Sequence, residues 1–301
     1  MPRLALTLLL LLLLPGPAWA VEPLPVTEVA PGVFVHRGVH EESGPANGGD
    51  IANIGFVVGR DAVAVVDSGG TPGIARRLLA AVRAKTDRPV RYVINTHMHP
   101  DHVLGNGALA GEGVTFAGHA NLPAALSARF ETYVSRAKDH LGEAPVLVLP
   151  TLLVKDRAEI DLGGRVLDLA AHPTAHTNND LTVLDRQTGT LWAGDLLFRE
   201  RHPSLDGSVK GWLALLDRLV TVQATQVIPG HGPVAEWPEA VEPLRAYLAQ
   251  VVGEVRALQK EGVGIAHAVP RVAVEAKTRW ELWETYHPQL VTAAYAELEW
   301  E

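Results

Sequence analysis

A short segment of the chain places three histidines and one aspartate within six residues. It reads Thr96-His97-Met98-His99-Pro100-Asp101-His102. Side chains at positions i and i+2 of an extended chain point to the same side, so His97 and His99 can reach one metal ion together. Pro100 interrupts the extended chain, and the turn can direct Asp101 and His102 to a second, adjacent position. Imidazole nitrogen and carboxylate oxygen are ligands that zinc prefers, so the segment predicts a metal site.

One coordination shell needs a further protein ligand from a distant part of the chain. Three residues fit, each after a short apolar strand and beside small or turn residues: His176, Asp195 and His231. Functional residues are concentrated in loops at the ends of strands. Taken singly, each of the three is an ordinary polar turn residue, but as a set they complete two coordination shells. The chain has no cysteine, so any metal ligand is expected to be His, Asp or Glu.

The elements that must position these residues follow from the apolar periodicity. Two β-branched runs at 53–58 and 62–67 flank Gly59-Arg60-Asp61, which predicts a hairpin, and a buried strand at 90–95 delivers the histidine segment. Further strands are predicted at 33–35, 114–117, 165–171, 181–185, 190–193 and 226–228. Helices are predicted at 71–83, 121–141, 209–220 and 237–259, the second as a polar surface insertion. Strands in two sequential groups favour an α/β sandwich with mixed sheets, and a doubly wound parallel sheet stays as the alternative.

The N-terminal 20 residues predict an export signal. Arg3 precedes an apolar run at 4–14, and Ala18-Trp19-Ala20 fits a small-x-small cleavage pattern. The run is shorter than the roughly 20 residues that span a bilayer. We therefore expect a periplasmic or secreted protein, cleaved near Ala20, with no stable membrane insertion.

Composition excludes some partners. The formal charge is -8 and no cluster of Lys and Arg is present, which argues against a nucleic-acid partner. Hydrophobic residues make up 47% and charged residues 20%, as in ordinary soluble globular proteins. A small-molecule substrate is the expected partner, and the composition leaves the oligomeric state open.

The ordered set of ligands resembles that of the metallo-β-lactamase fold superfamily. That family has a His-x-His-x-Asp-His segment followed by His, Asp and His in later loops, as residues 97–102, His176, Asp195 and His231 do here. The resemblance covers about residues 26–231. It implies a four-layer αβ/βα sandwich with the metals at one edge of two sheets. We expect a catalytic domain at 26–236 and a helical extension at 237–301 packed on it.

The same resemblance implies two zinc ions per chain. The first would be held by His97, His99 and His176, and the second by Asp101, His102 and His231, with Asp195 bridging both. Many β-lactamases of this fold have Cys at the position of Asp195, so the aspartate favours the glyoxalase-II, lactonase and thioesterase-like branches. The chain is also similar to periplasmic SoxH-type hydrolases, which are associated with sulfur oxidation and quinoprotein systems.

The function that the resemblance implies is an exported zinc-dependent hydrolase. In this hypothesis a zinc-bound hydroxide attacks the carbonyl of a thioester, a lactone or a related ester or amide, and Asp101 orients the nucleophile. The alternatives are a β-lactam hydrolase, a mononuclear iron oxygenase acting on persulfides, and a non-catalytic zinc-binding protein. A complete second ligand set favours two metals. A Gly-x-Ser-x-Gly nucleophile elbow is absent from the sequence.

The remaining histidines have no ligand-like partners nearby in sequence. His36 and His40 flank a Gly-rich loop at 38–50, which is either solvated or closes over substrate. His172 and His202 are candidates for residues that support the metal ligands, as such partners commonly do.

Overall fold

A seven-stranded mixed sheet forms the N-terminal half of the fold. The computed structural model describes residues 21–301, so the expected signal peptide lies outside the described residues. The strands follow chain order across the sheet, antiparallel from β1 to β4 and parallel from β4 to β7. They are β1 (Thr27–Ala30), β2 (Val33–His36), β3 (Ile54–Val58), β4 (Val63–Val66), β5 (Val90–Ile94), β6 (Thr115–His119) and β7 (Leu152–Val154).

A six-stranded sheet follows, in the order β13-β12-β11-β10-β9-β8. Only β11 and β12 pair in parallel in this sheet, within the described residues. The strands are β8 (Arg157–Asp161), β9 (Val166–Ala171), β10 (Leu181–Asp185), β11 (Thr190–Phe198), β12 (Gln226–His231) and β13 (Ala235–Glu236). The strands β1, β7, β8 and β13 were not predicted. All four are edge strands, whose partly solvated faces carry little apolar pattern.

The two sheets pack face to face. Side chains of the first sheet such as Val57 and Ile94 share one buried cluster with Leu167 and Trp192 of the second. Helices cover the outer faces: α1 (Pro72–Lys85) and α3 (Asn106–Leu109) lie on the first sheet, and α5 (Val209–Leu219) lies on the second. The predicted four-layer sandwich is therefore confirmed. The doubly wound sheet is excluded because two separate sheets, not one, form the core.

Two helices lie near the histidine segment. The short α2 (Pro100–Val103) carries part of that segment, and α4 (Leu122–Ala137) packs over it. Leu122 and Leu126 of α4 share a buried cluster with Met98 and Val103. The expectation of a surface insertion at 121–141 was therefore incomplete, because apolar residues spaced three and four apart give α4 one buried face.

The C-terminal part of the described chain is helical. It contains α6 (Glu242–Lys260), α7 (Ile265–Ala268) and α8 (Trp283–Leu298). The helix predicted from residue 237 begins at Glu242, because Pro243 lies in its first turn and a 3-10 turn occupies residues 239–241. Buried residues of α6 and α8 join the core cluster of β11, β12 and α5. Within residues 21–301, no helix is both long and apolar enough to cross a bilayer.

Candidate metal centre

All seven predicted ligands lie together at one edge of the two sheets. The first group consists of His97, His99, His176 and Asp195, whose ligand atoms lie within 4.8 Å of one another. The second group consists of Asp101, His102 and His231, whose ligand atoms also lie within 4.8 Å of one another. The structure thus brings together residues that are separated by more than 130 positions along the chain.

The histidine segment changes conformation between its two pairs of residues. Strand β5 ends at Ile94, so His97 and His99 lie in the following loop. Pro100 then begins α2, where its fixed φ suits the first helical position. The turn expected after Pro100 is a helical one, and it directs Asp101 and His102 toward the second group.

Asp195 lies inside β11, not after a strand ending near residue 193 as predicted. The pairing of β11 with β12 shifts register on both sides of Gly194, and this irregularity turns Asp195 into the site. On β12, a Cβ at Gly230 would lie 1.9 Å from Asp195 Oδ1. Only glycine therefore leaves space for this carboxylate.

The carboxylate of Asp195 lies between the two groups. Its Oδ2 is 3.4 Å from His176 Nε2 and 3.6 Å from His97 Nε2. Its Oδ1 is 3.2 Å from His102 Nε2 and 3.4 Å from His231 Nε2. Each oxygen therefore faces one group, which is the arrangement that a bridging ligand requires.

Buried atoms of this site fit a metal-binding role. His97 Nε2, His102 Nε2 and Asp195 Oδ1 are buried and have no hydrogen-bond partner among residues 21–301. Leaving a buried polar atom unpaired costs about 1–3 kcal/mol. Metal ions would satisfy these atoms together, and imidazole with carboxylate is a donor set that suits zinc.

In the first group, each imidazole has a partner for the nitrogen that faces away from the site. His176 Nδ1 lies 2.9 Å from Ser204 O, and His99 Nε2 lies 3.4 Å from Asp206 Oδ2. His97 Nδ1 lies 3.0 Å from Thr96 Oγ1, a hydroxyl that donates to a carboxylate and is thus free to accept. These bonds leave the other ring nitrogens available as ligands.

In the second group, the partners come from two loops of the first sheet, the one between β2 and β3 and the one after β4. His102 Nδ1 lies 2.8 Å from Asp67 Oδ2, and His231 Nδ1 lies 2.8 Å from Ile51 O. Asp67 also accepts from the backbone N and the hydroxyl of Thr96, at 2.8 and 2.7 Å. Sequence reasoning missed Asp67. Its position at the end of an apolar strand, before Ser68-Gly69-Gly70, was the available signal.

The electrostatics of the two groups differ. Burial lowers the pKa of His97 well below its ordinary value and that of His176 to about 3, so both rings are neutral at pH 7. Burial also opposes a charge on His102, but Asp195 and Asp101 overcome it and raise the pKa of His102 well above its ordinary value. Asp195 is ionised, because His231 and His102 outweigh burial and hold its pKa well below the usual range.

A pocket of about 560 Å³ opens onto Asp101, Asp195 and His231. Its wall is rich in cationic and phenolic side chains: Arg129, Tyr133, Arg136, His140, Arg201 and Tyr286. The loop at 38–50 forms part of this wall, because Ser43 Oγ lies 2.9 Å from His140 Nε2. Sequence reasoning found neither the arginines nor the phenols, since each is unremarkable in its local sequence.

The other histidines lie outside both groups. His36 is bound to Asp50 at 2.7 Å, and His172 Nε2 lies 2.8 Å from Thr182 Oγ1. His202 is buried and lines the pocket, with Nε2 2.7 Å from the hydroxyl of Tyr247.

Known proteins match this chain over most of its length. Residues 47–231 match the family model described as metallo-beta-lactamase superfamily. A hydroxyacylglutathione hydrolase of Methylococcus capsulatus is 30% identical over 226 residues, which are 72% of this chain and 75% of that protein. A linear primary-alkylsulfatase of a Pseudomonas species is 21% identical over 217 residues, or 59% of this chain and 41% of the relative.

Other matches extend over longer proteins. The solved stereoselective inverting sec-alkylsulfatase Pisa1 from Pseudomonas sp. superposes with a TM-score of 0.73 at 16% identity, over 90% of this chain and 49% of that one. The beta-lactamase-like protein 2 homolog of Caenorhabditis elegans is 24% identical over 196 residues, 64% of this chain and 59% of that protein. This chain thus spans less than two thirds of the length of several relatives. Since the family model covers more than half of the chain and the Methylococcus relative covers 72% of it, the chain belongs to the metallo-β-lactamase superfamily.

Proposed function

We propose that the chain is an exported hydrolase that holds two zinc ions and cleaves a carbonyl ester, with thioesters as the first class. The observation that carries the proposal is the Asp195 carboxylate, which presents one oxygen to each group of ligands. Bound at these groups, the ions supply Lewis acidity and a nucleophile at neutral pH. Export rests on the N-terminal signal pattern, and the SoxH-type association stays a prediction.

Asp101 is the catalytic residue in this proposal. Its carboxylate borders the pocket, and its Oδ2 lies 3.3 Å from His231 Nε2. Burial alone would raise the pKa of Asp101, but His102 and His231 outweigh burial and lower it. The carboxylate is therefore ionised at pH 7 and can accept a hydrogen bond from the attacking water. It can then take that proton from the water and pass it to the leaving group.

The pocket wall indicates a substrate that carries an anionic group. Arg129 is paired with Asp206 at 2.5 Å, and Arg201 donates to the hydroxyl of Tyr286 at 2.8 Å. Arg136 has no carboxylate within ion-pair distance among the described residues, so it is available to bind a substrate anion. Burial raises the pKa of Tyr133 to about 12, so its hydroxyl keeps its proton and can donate to substrate.

The relatives favour a thioester over a β-lactam. The Methylococcus relative is named for hydrolysis of hydroxyacylglutathione, in which an acyl group is attached through sulfur. Of the three relatives compared above by sequence, it covers the largest share of this chain and has the highest identity. The absence of cysteine also separates the chain from β-lactamases with a thiolate ligand.

A sulfate-ester hydrolase is the second candidate. The linear primary-alkylsulfatase relative favours it, and the fold of a sec-alkylsulfatase superposes over 90% of this chain. In a sulfate ester the anion is the group that is cleaved, so it would lie at the metal centre. In a thioester with a remote carboxylate, the anion would lie at Arg136.

The test is a substrate panel on the zinc-loaded chain, with thioesters, lactones, β-lactams and alkyl sulfates. We expect thioester hydrolysis to be the fastest, and to fall by at least about a hundredfold in Asp101→Asn, in line with the loss of a general base. Asp139→Asn changes an exposed aspartate outside the centre and serves as the matched control. Unchanged thioester activity in Asp101→Asn would contradict the mechanism, and faster alkyl sulfate cleavage would favour the second candidate.

A second experiment with the same substrates tests whether the substrate carries an anionic group. Arg136→Ala removes the unpaired guanidinium, and a hydrogen bond to a charged group contributes about 1.5–3 kcal/mol. We expect KM for a carboxylate-bearing thioester to rise at least about tenfold, and KM for its uncharged analogue to stay the same. Arg83→Ala on α1, an exposed arginine outside the pocket, is the control. Equal effects on both substrates would contradict the anionic class.

A further inference from the structure

Residues 202–209, which we call the supporting segment, connect the end of β11 to α5 and lie against the first metal group. Its Ser204 O receives the His176 Nδ1 hydrogen bond at 2.9 Å, and its Asp206 Oδ2 lies 3.4 Å from His99 Nε2. Its backbone also binds the backbone beside His176: Asp206 N donates to His176 O at 2.9 Å, and Ser208 N donates to Ala175 O at 2.8 Å. The segment therefore fixes two of the three histidines of this group.

The supporting segment lies very close to the backbone of Ala175 and His176. A Cβ at Gly207 would lie 2.3 Å from Ala175 O, so a side chain there would push the segment away. The separation between the segment and His176 is thus set by contact, and a shift of the segment moves Ser204 O with it. What holds the segment in place therefore decides the orientation of the His176 ring.

Both ends of the supporting segment are held by the C-terminal helices and the chain that precedes α8. At the first end, His202 N donates to Glu281 O at 2.9 Å, and His202 Nε2 lies 2.7 Å from the Tyr247 hydroxyl of α6. At the other end, the Glu297 carboxylate of α8 accepts from Ser208 Oγ at 2.6 Å and from Val209 N at 2.7 Å. Glu297 thus also binds the residues that begin α5.

The bonds at His202 allow only one direction of donation. Its Nδ1 lies 2.7 Å from Pro203 O, a carbonyl that can only accept, so Nδ1 carries the proton and Nε2 accepts. Tyr247 therefore donates to His202 Nε2, and its oxygen accepts from His287 Nδ1 at 2.9 Å. Burial lowers the pKa of His202 to about 3 and that of His287 to about 4, so both rings are neutral. Each donor in this buried series of hydrogen bonds has one acceptor, so the donors and acceptors have only one possible arrangement.

We infer that the C-terminal helices α6 and α8 support the first metal group selectively, by holding residues 202–209 against His176 and His99. Tyr247, His287 and Glu297 are positioning residues in this inference, because none of them is a ligand. The second group draws its partners from Asp67 and Ile51, which the supporting segment does not contact through hydrogen bonds. The inference rests on the proposed two-metal centre and adds a function for helices beyond the matched family region, which ends at residue 231.

The test compares zinc affinity at each group in three variants of the full chain. Tyr247→Phe removes the hydroxyl and keeps the ring, and Glu297→Gln removes the charge that binds the far end of the segment. The control is Tyr295→Phe on α8, a buried tyrosine whose hydroxyl donates to Val263 O at 2.9 Å and not to the segment. Zinc is titrated against a competing chelator, and NMR of ¹⁵N-labelled histidine rings identifies which histidines bind at each step.

We expect Tyr247→Phe and Glu297→Gln each to weaken zinc binding at the first group about tenfold, the lower end of the range for partners of metal ligands. Affinity at the second group is expected to stay unchanged, as are both affinities in Tyr295→Phe. Unchanged affinity at the first group in both variants would overturn the inference, and so would equal losses at both groups. If the unaltered chain fails to bind two zinc ions, the proposed centre itself fails, and this outcome is distinct from the others.

Discussion

The two groups of candidate metal ligands are held in different ways. Partners of the second group are buried in the sandwich: the Asp67 carboxylate follows β4, and Ile51 O binds His231 across the edge where the sheets meet. Next to it, the Asn53 amide donates to the carbonyls of Pro229 and Gly232, both at 2.8 Å. Partners of the first group include Ser204 and Asp206 on a connecting segment that is only partly buried.

The candidate metal centre is therefore held in position in two different ways. The second group is held by the contact between the two sheets, so its geometry depends on the core of the fold. The first group is held by a segment that is itself bound to helices outside the matched family region. We therefore expect changes in the core partners and changes in the segment to affect different metal ions.

The largest effect is expected where the two groups share a ligand. Asp195→Ala removes the carboxylate that faces both groups, so both zinc affinities should fall. Loss of a ligand should exceed the roughly 10–100-fold cost of losing a ligand's partner, so we expect activity to fall by at least ~10³-fold. Metal content after dialysis and turnover of the best substrate are the measurements. Retention of two tightly bound zinc ions would show that Asp195 does not connect the groups.

The next effect separates the groups through their carboxylate partners. Asp67→Asn should weaken zinc at the second group by about 10–100-fold, because His102 loses a buried charged partner. Asp206→Asn should weaken zinc at the first group by about tenfold or less, because its contact with His99 is longer and partly exposed. Chelator competition on the two variants is the measurement. The comparison fails if both variants weaken the same ion.

A further difference between the two groups concerns the protons that zinc displaces. Because the pKa of His102 is raised, the metal-free second group holds a proton at pH 7 that zinc must displace. Its zinc affinity should therefore rise by about tenfold per pH unit until the pH passes that raised pKa. Zinc binding should displace no proton from His97 or His176 at pH 7, since the pKa values of both are lowered and these rings are already neutral. Calorimetry in buffers of different ionisation enthalpy counts the released protons, and equal release at both groups would contradict the difference.

Much of the centre could be predicted from the sequence because its ligands belong to residue types with few other reasons to cluster. The strands that precede His97 and His176 were also readable, and so was the strand that ends at His231, since each has a short apolar run. Asp195 was assigned to a loop because Gly194 resembles a strand end, whereas β11 continues through it with a shift in register. A bulge of this kind depends on pairing with β12, which the local sequence does not encode.

The groups that hydrogen-bond to the ligands and hold them in place could not be predicted from the sequence. Ser204 and Ile51 act through their carbonyl oxygens, and every residue has a carbonyl, so no residue type marks the position. The bond from Tyr247 to His202 joins residues 45 positions apart and depends on how α6 packs. The apolar face of α4 was visible in its spacing, but its contact with the histidine segment required the tertiary structure.

We propose that this chain holds two zinc ions in two distinct groups that share Asp195. The most direct test of this proposal is the metal content of the purified full chain after equilibrium dialysis against limiting zinc and iron, with histidine NMR to assign each bound ion. We expect two zinc ions per chain, one affecting the ring signals of His97, His99 and His176 and the other those of His102 and His231. A single iron on the first group, or no metal retained, would contradict it.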